Sequence, residues 1–423
     1  MATMKYRVLG HSGLRVSELC LGAMMFGGAA EEAAARRIMD HALESGVNFL
    51  DTANQYADGR SEEVVGRGIK ESRHRWVLAT KVSNPFGPGP NDRGLNRRHV
   101  LQALEDSLRR LQTDYVDLYY VHKLDPDTSW EQIVLTFGEL IRQGKIREWG
   151  LSNVRAWHIP HIHHLCRAAG VPAPTALQPY YNLMNRQPEV EVLPAAQFFG
   201  LGVVPYSPLA RGVLSGKYKV NQVAEPGSRA GRQDKRMLEA EWRPESLIIA
   251  EKLKAHAEAR GTNLVHWATA WVLNNKCVTS TIAGPRTFEQ WTSYFGALEY
   301  AWTAEDEALA ERIRALRCSR ETFTDKDHGL PPRKRPESID GGNQTEQPLL
   351  KILGHLRWIH SSRGLHVGSR TPFGALPAAK SRRASAGRRA FHDRRPRLVA
   401  QIAPGGVAQT GRRLFELVGG GEE

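Results

Sequence analysis

The feature that most restricts this chain is an unbroken alternation of short apolar runs with helical segments between Leu19 and Leu316. Eight runs read as strands: Leu19 to Gly22, Asn48 to Asp51, Trp76 to Val82, Tyr115 to His122, Ile146 to Leu151, Ala176 to Gln178, Gly202 to Tyr206 and Val278 to Ala283. Each is followed by at least one stretch of helical spacing. After Asn96, which stands as an N-cap, Val100, Leu101, Leu104, Leu108 and Leu111 recur on one face. Ser61 followed by Glu62 and Glu63 reads as a second N-cap with first-turn acids, and Gly46 as the glycine that ends a helix. Such alternation requires a parallel α/β sheet under helical cover, and eight units are what closes one into a (β/α)8 TIM barrel. An open, doubly wound sheet is the competing fold. It would usually carry a GxGxxG turn, which this sequence lacks. Ahead of the first unit, KYRVLG and LRVSEL flank HSG and predict a β-hairpin.

Ionisable residues collect where three of these runs end. Asp51 closes the second, Tyr56 follows in a polar loop, Lys81 lies at the end of the third and His122 closes the fourth. A parallel barrel gathers its catalytic groups at the carboxyl ends of its strands, so the placement predicts an enzyme. Any one of these residues alone would more often be a structural hydrogen-bonding group. Four together in this arrangement reverse that reading.

The segments FLDTANQYADGRSEEVVG, LATKV, DLYYVH, GLSNV, QPYYN, PYSPLARGVLSGKY and IAGPRTFEQ, in this order, resemble the aldo-keto reductase family, in its long-loop, NADP-dependent bacterial form. The resemblance covers residues 1–317. It implies reduction of an aldehyde or ketone to the alcohol with NADPH, with Asp51, Tyr56, Lys81 and His122 as the catalytic tetrad. A free tyrosine is a reluctant acid at neutral pH, and an ammonium beside it would ease release of its proton. Asp51 would hold Lys81 charged, and His122 would share charge developing on the substrate oxygen.

The same resemblance assigns Ser152, Asn153 and Gln178 to the carboxamide of NADP(H), and Tyr206 to stacking on its nicotinamide ring. Ser207, Pro208, Leu209, Arg211, Gly212, Leu214 and Lys217 would follow the pyrophosphate. The irregular insertion from Ser207 to Arg243 could then close over it. Arg286 and Gln290, with Gly284 just before them, would meet the 2′-phosphate at the start of a helix, which favours NADP over NAD. Gly22, Met24 and Asp51 complete the cofactor-binding set. Tyr294 stands where relatives commonly have Asn, a departure that bears on adenine recognition. Met25, Phe26, Pro85, Phe86, Lys123 and Leu124 would build a partly aromatic substrate pocket. A different use of this scaffold is also implied: a non-catalytic, nucleotide-binding regulatory subunit of the potassium-channel β-subunit type.

Composition bears mainly on the end of the chain. From Cys318 onward there are 19 Lys and Arg against 10 Asp and Glu, which is +9 of the formal +13. The barrel itself is therefore nearly balanced and is not predicted to bind nucleic acid. The arginine clusters of residues 318–423 leave that option open for the tail alone. Rich in Arg, Gly, Pro and Ser with brief apolar islands, the tail reads as a basic, disordered segment or as a read-through or frameshifted end. Four cysteines far apart fit a reducing compartment. With no signal-peptide core and no apolar run of membrane-spanning length, a cytoplasmic protein acting on a small molecule is expected, with oligomerisation left open. GVLSGK falls short of a phosphate-binding P-loop, because only three residues separate its glycines and Tyr218 follows. The histidines of HIPHIHH lie on a predicted outer helix, so no metal site is expected.

Overall fold

Successive side chains of a strand point to opposite faces, and in a closed parallel barrel those faces are the interior and the helical jacket. The computed structural model describes residues 4–220 and 222–318, all within the first of two units into which the chain divides, Met1–Arg333. Of the predicted tail, residues 319–423 lie outside the described residues.

β1 (Tyr6–Val8) and β2 (Arg15–Ser17) form the expected antiparallel hairpin. The eight further strands are β3 (Leu19–Gly22), β4 (Phe49–Asp51), β5 (Val77–Val82), β6 (Val116–Val121), β7 (Ile146–Ser152), β8 (Ala176–Gln178), β9 (Gly202–Val203) and β10 (Thr281–Ala283). They pair in parallel in the order β10-β3-β4-β5-β6-β7-β8-β9. The ring closes from β9 to β10 through a parallel bridge between Val203 and Val278, with Ile282 N–H donating to Pro205 O at 3.0 Å. The protein is thus an α/β parallel barrel with an N-terminal hairpin.

Strand parity sorts the core into two sets. Cys20, Phe49, Ala79, Leu118, Tyr120, Ala176, Val204 and Ile282 pack together inside the barrel. Their neighbours Leu21, Leu50, Leu78, Tyr119, Leu177, Val203 and Ala283 belong to the larger cluster beneath the helices. Two residues further along each strand, the same inward parity is carried by Gly22, Asp51, Lys81, His122, Ser152, Gln178, Tyr206 and Gly284. Every strand therefore delivers one inward position to a single layer at the carboxyl end of the barrel. At the opposite end, Leu9 and Val16 of the hairpin join the interior cluster, so the hairpin closes the floor.

The jacket includes helices Glu32–Glu44, Arg60–Ile69, Arg97–Leu111, Trp130–Arg142, His158–Ala169, Pro244–Ala259 and Leu264–Asn274. Asn96 caps as predicted, its side chain accepting from His99 N–H at 2.9 Å. Ser61 does not cap. The helix starts at Arg60 behind Gly59, and the buried Ser61 hydroxyl instead donates to Ala23 O at 2.7 Å. Glu62 is not a solvated first-turn acid either. It is buried and bonded by Thr80 and Arg110, which ties this helix to β5 and to the next helix. After β10 the chain forms two short helices, Phe288–Thr292 and Gly296–Glu299, and a Cβ on Gly296 would stand 2.3 Å from the His266 ring. The irregular insertion holds a 3-10 segment, Ala210–Ser215, and a short helix, Lys235–Ala240.

Gly10 connects the hairpin to the floor. Its φ is +54°, and a Cβ there would lie 2.3 Å from Thr175 O and 2.6 Å from Gly200 O. Gly10→Ala combines left-handed backbone strain with overpacking, so it should cost about 3 kcal/mol or more. Denaturant unfolding of the variant checks this; an unchanged midpoint would show that the hairpin does not seal the barrel.

Candidate active site

The inward layer at the carboxyl end forms the base of a cleft of about 700 Å³. Its centre is an ion pair between Lys81 Nζ and Asp51 Oδ1, with the side chains 0% and 4% exposed. A buried pair is costly unless its remaining valences are filled. Here Lys81 Nζ also donates to Thr52 O at 2.7 Å and approaches Tyr56 OH at 3.4 Å, while Gln178 Nε2 donates to Asp51 Oδ2 at 2.9 Å. Burial works against the Lys81 charge, but Asp51 and Tyr56 outweigh it and hold the ammonium above its ordinary pKa.

Tyr56 enters from the loop after β4 on a left-handed run, with φ of +50° at Ala57, +55° at Asp58 and +86° at Gly59. Strain in non-glycine residues of this kind often marks a working loop. Burial pushes the phenol above the ordinary tyrosine range, and the Lys81 ammonium pulls against that rise. The lowering expected from Lys81 is therefore present, but burial exceeds it. The Tyr56 and His122 rings meet edge to face, 5.8 Å between centroids.

Burial, then the positive charges of Lys81, Arg236 and Lys123, hold His122 well below its ordinary pKa, so the ring is neutral. Asn84 Nδ2 lies 3.1 Å from its Nδ1. With Asn84 donating, the imidazole proton resides on Nε2, making the ring a donor to a bound oxygen. Nothing in the sequence pointed to Asn84. It sits two residues past β5, outside any motif, and only closure of the barrel brings it to His122.

Around this centre the structure brings together nearly all of the predicted cofactor-binding residues. Gly22, Met24, Ser152, Asn153, Gln178 and Tyr206 line the cleft, as do Ser207, Pro208, Leu209, Arg211, Gly212, Lys217, Gly284, Arg286 and Gln290. Ser152 Oγ donates to Gln178 O at 2.8 Å, and Asn153 Nδ2 to His122 O at 2.8 Å. Tyr206 stacks on Tyr180, with centroids 5.3 Å apart, and its hydroxyl donates to Asn153 Oδ1 at 2.8 Å. The segment after Tyr206 has positive φ at Ser207, Ala210, Arg211 and Gly212, which turns backbone toward the cleft. Leu214 is fully buried in the core and does not line the cleft. Arg286 Nη1 reaches Gly227 O at 2.8 Å, its backbone N–H donates to Gln290 Oε1 at 2.9 Å, and Tyr294 is buried beside them. The helix Phe288–Thr292 is too short for its terminus to contribute much charge, so the guanidinium of Arg286 is the stronger positive group there.

A nicotinamide dinucleotide fits this donor set. Arg211 Nε is buried with no hydrogen-bond partner among the described residues, and a cation with an unfilled donor in a cleft is an available contact for phosphate. Of the expected substrate pocket, Met25 and Lys123 line the cleft. Phe26 is fully buried in the core, Leu124 packs against that core, and Phe86 lies under Arg110 at 4.8 Å. Aromatic residues near a strand end were absorbed by packing, so the mouth is less aromatic than predicted. Of the outer-helix histidines, His158 is buried, hydrogen-bonded to Arg155 N–H and stacked on Trp157. No cluster of metal-ligating residues occurs among the described residues. No helix among them is long and apolar enough to cross a membrane.

Lys81→Met would leave the Asp51 carboxylate buried and uncompensated, costing about 3–5 kcal/mol. The double variant Asp51→Asn, Lys81→Met should lose less than Lys81→Met alone. Unfolding of the natural protein, Lys81→Met, Asp51→Asn and the double variant measures the coupling, and additive losses would mean the two groups act independently.

The comparisons with known proteins agree with this geometry. The model of the Aldo/keto reductase family matches residues 18–315. An uncharacterized oxidoreductase, YrpG, of Bacillus subtilis is 40% identical over 71% of this chain and 93% of its own length. A putative voltage-gated potassium channel subunit beta of Schizosaccharomyces pombe is 36% identical over 70% of this chain and 88% of its own. A probable voltage-gated potassium channel subunit beta of Arabidopsis thaliana is 36% identical over 66% and 87%. Members of this family generally bind a nicotinamide cofactor, and the matched span contains every strand of the barrel ring and the whole tetrad. The chain belongs to the aldo/keto reductase family and is an oxidoreductase of that family.

Proposed function

We propose that the protein reduces aldehydes or ketones to alcohols with NADPH, with Tyr56 as the proton donor. The observation that carries this reading is the convergence of Asp51, Tyr56, Lys81 and His122 at one end of a cleft. When bound, the cofactor supplies two electrons as a hydride to the carbonyl carbon. The substrate oxygen gains negative charge as that bond forms, and neutral His122 donates a hydrogen bond to it from Nε2. Tyr56 OH gives its proton to this oxygen, completing the alcohol. The tyrosinate left behind is stabilised by the Lys81 ammonium until water restores its proton. Asp51 and Gln178 keep that ammonium charged and aimed.

NADPH is preferred over NADH in this reading because Arg286, which lines the cleft, offers a guanidinium to the 2′-phosphate that NADH lacks. Tyr294, buried in the lining of the same cleft, would take part in adenine recognition. The second reading, a nucleotide-binding regulatory subunit of potassium-channel type, draws on the names of two relatives. Co-purification with a membrane protein, together with tight NADPH binding and no turnover, would favour it. A cytoplasmic location accompanies the first reading.

Three measurements test these assignments. Tyr56→Phe should lower kcat at least about a hundredfold while leaving the Kd for NADPH within about twofold, since it removes a proton and no cofactor contact. Full activity in that variant would refute the mechanism. The pH profile carries the signs of the two shifts. His122 stays neutral as pH falls through its ordinary 6.5, so kcat/KM should show no inflection there; Tyr56 must keep its proton, so activity should fall only above its ordinary 10.0. Arg286→Met should weaken NADPH binding by roughly tenfold or more and NADH binding far less. Equal weakening of both would remove Arg286 from 2′-phosphate recognition.

A further inference from the structure

The cleft is lined by many cations and, among the described residues, by a single carboxylate, Asp51, which Lys81 and Gln178 already occupy. The family resemblance gives Lys217 and Arg286 individual phosphate contacts, and it gives none to Arg236 or Lys123, although both line the cleft. The charge of Arg236 is felt by Tyr56, His122 and Tyr206, the three rings of the catalytic end. Lys123 immediately follows His122, and its backbone N–H donates to Ser83 Oγ at 3.1 Å.

An exposed arginine is most often a solvated surface group, but the backbone that carries Arg236 is held in place. It sits between Asp234, whose side chain accepts from Met237 N–H at 2.9 Å, and Met237, which is fully buried. Arg229, in the same insertion, lies 3.8 Å from Met25 Sδ on the opposite lip and pairs with Asp234 at 3.7 Å. The insertion is thus pinned across the mouth, and Arg236 lines the same cleft as Tyr56 and His122. Among the described residues Arg236 makes no ion pair and no hydrogen bond through its side chain. A neutral carbonyl compound would give this charge nothing to bind. A cationic site with low-dielectric walls concentrates anions.

We propose that Arg236 and Lys123 form an anion-recognising subsite beside Tyr56 and His122, so that the preferred substrates are small aldehydes or ketones carrying a carboxylate or phosphate. This rests on the carbonyl-reductase reading. The carbonyl oxygen would sit between Tyr56 OH and His122, and the charged end of the same molecule would meet Arg236 in the insertion. A bidentate guanidinium suits either anion.

The test compares kcat/KM with NADPH for 4-oxobutanoate against butanal, and for glycolaldehyde phosphate against glycolaldehyde. In each pair the charged compound should be favoured by about tenfold or more, with the advantage shrinking as salt rises. Arg236→Met should bring the ratio close to one, chiefly through KM, Arg236→Lys should keep part of it, and Lys123→Met should reduce it. Whichever pair shows the larger ratio identifies the anion. A ratio near one in the natural protein, or one untouched by Arg236→Met and Lys123→Met, overturns the proposal while leaving the reductase reading intact. The same holds if Arg236→Met weakens NADPH binding as much as it weakens the charged substrate, because Arg236 would then be a cofactor contact. If no aldehyde is reduced at all, the reductase reading fails. Calorimetric titration of the NADPH-bound protein with 4-hydroxybutanoate then decides the subsite alone: binding lost in Arg236→Met supports it, and absence of binding overturns it.

Discussion

A lysine ammonium with no solvent exposure, paired with a carboxylate 4% exposed, is the interaction around which the catalytic end of this barrel is arranged. Such a pair persists only if every remaining donor and acceptor finds a partner. Thr52 O, Tyr56 OH and Gln178 Nε2 provide them from the ends of β4 and β8 and from the loop after β4. The pair therefore fixes three segments relative to one another, and the chemistry inherits that rigidity. A tyrosine held against a permanently charged lysine can give up a proton and take it back without rearrangement of its surroundings.

The ring of inward positions explains why so many site residues fall at strand ends. Parity is set lower in the barrel, where Phe49, Ala79, Leu118 and Ala176 fill the interior, and it carries unchanged to Asp51, Lys81 and Gln178 at the top. A slip of one residue in any strand would send its functional side chain into the helical jacket. Glycine appears in this layer where bulk would collide: a Cβ on Gly22 would lie 2.6 Å from Ile282 Cγ2. The neutral His122 follows from the same crowding, since burial and the surrounding cations all oppose a second positive charge.

The insertion after β9 contributes a different kind of order. It has little regular structure, yet Ala230 and Met237 are buried and Arg286 is tied to Gly227 O. Several anchors hold its cations over a cleft nearly empty of acids, so the electrostatic character of the cleft is positive from Arg286 to Lys123.

The barrel and the placement of Asp51, Tyr56, Lys81 and His122 at one end of it were legible in the sequence because both depend on local pattern. Apolar runs of strand length alternating with amphipathic helices admit one closed parallel arrangement, and Asp51, Lys81 and His122 occupy positions fixed by the period of their own strands. Ser61 shows the limit of such reasoning. Its setting is that of an N-cap, yet burial beside Ala23 gave its hydroxyl another partner. Phe26 likewise read as a pocket residue and was taken into the core. Asn84 carried no signal at all, and Arg236 none beyond its place in the Ser207–Arg243 insertion, since their importance lies in neighbours distant along the chain. What sequence alone determined was everything governed by spacing within an element. The tautomer of His122, the competition between burial and charge at Tyr56, and the placement of Arg236 were decided only by tertiary structure, because desolvation and Coulomb forces act through space between segments that no local pattern connects.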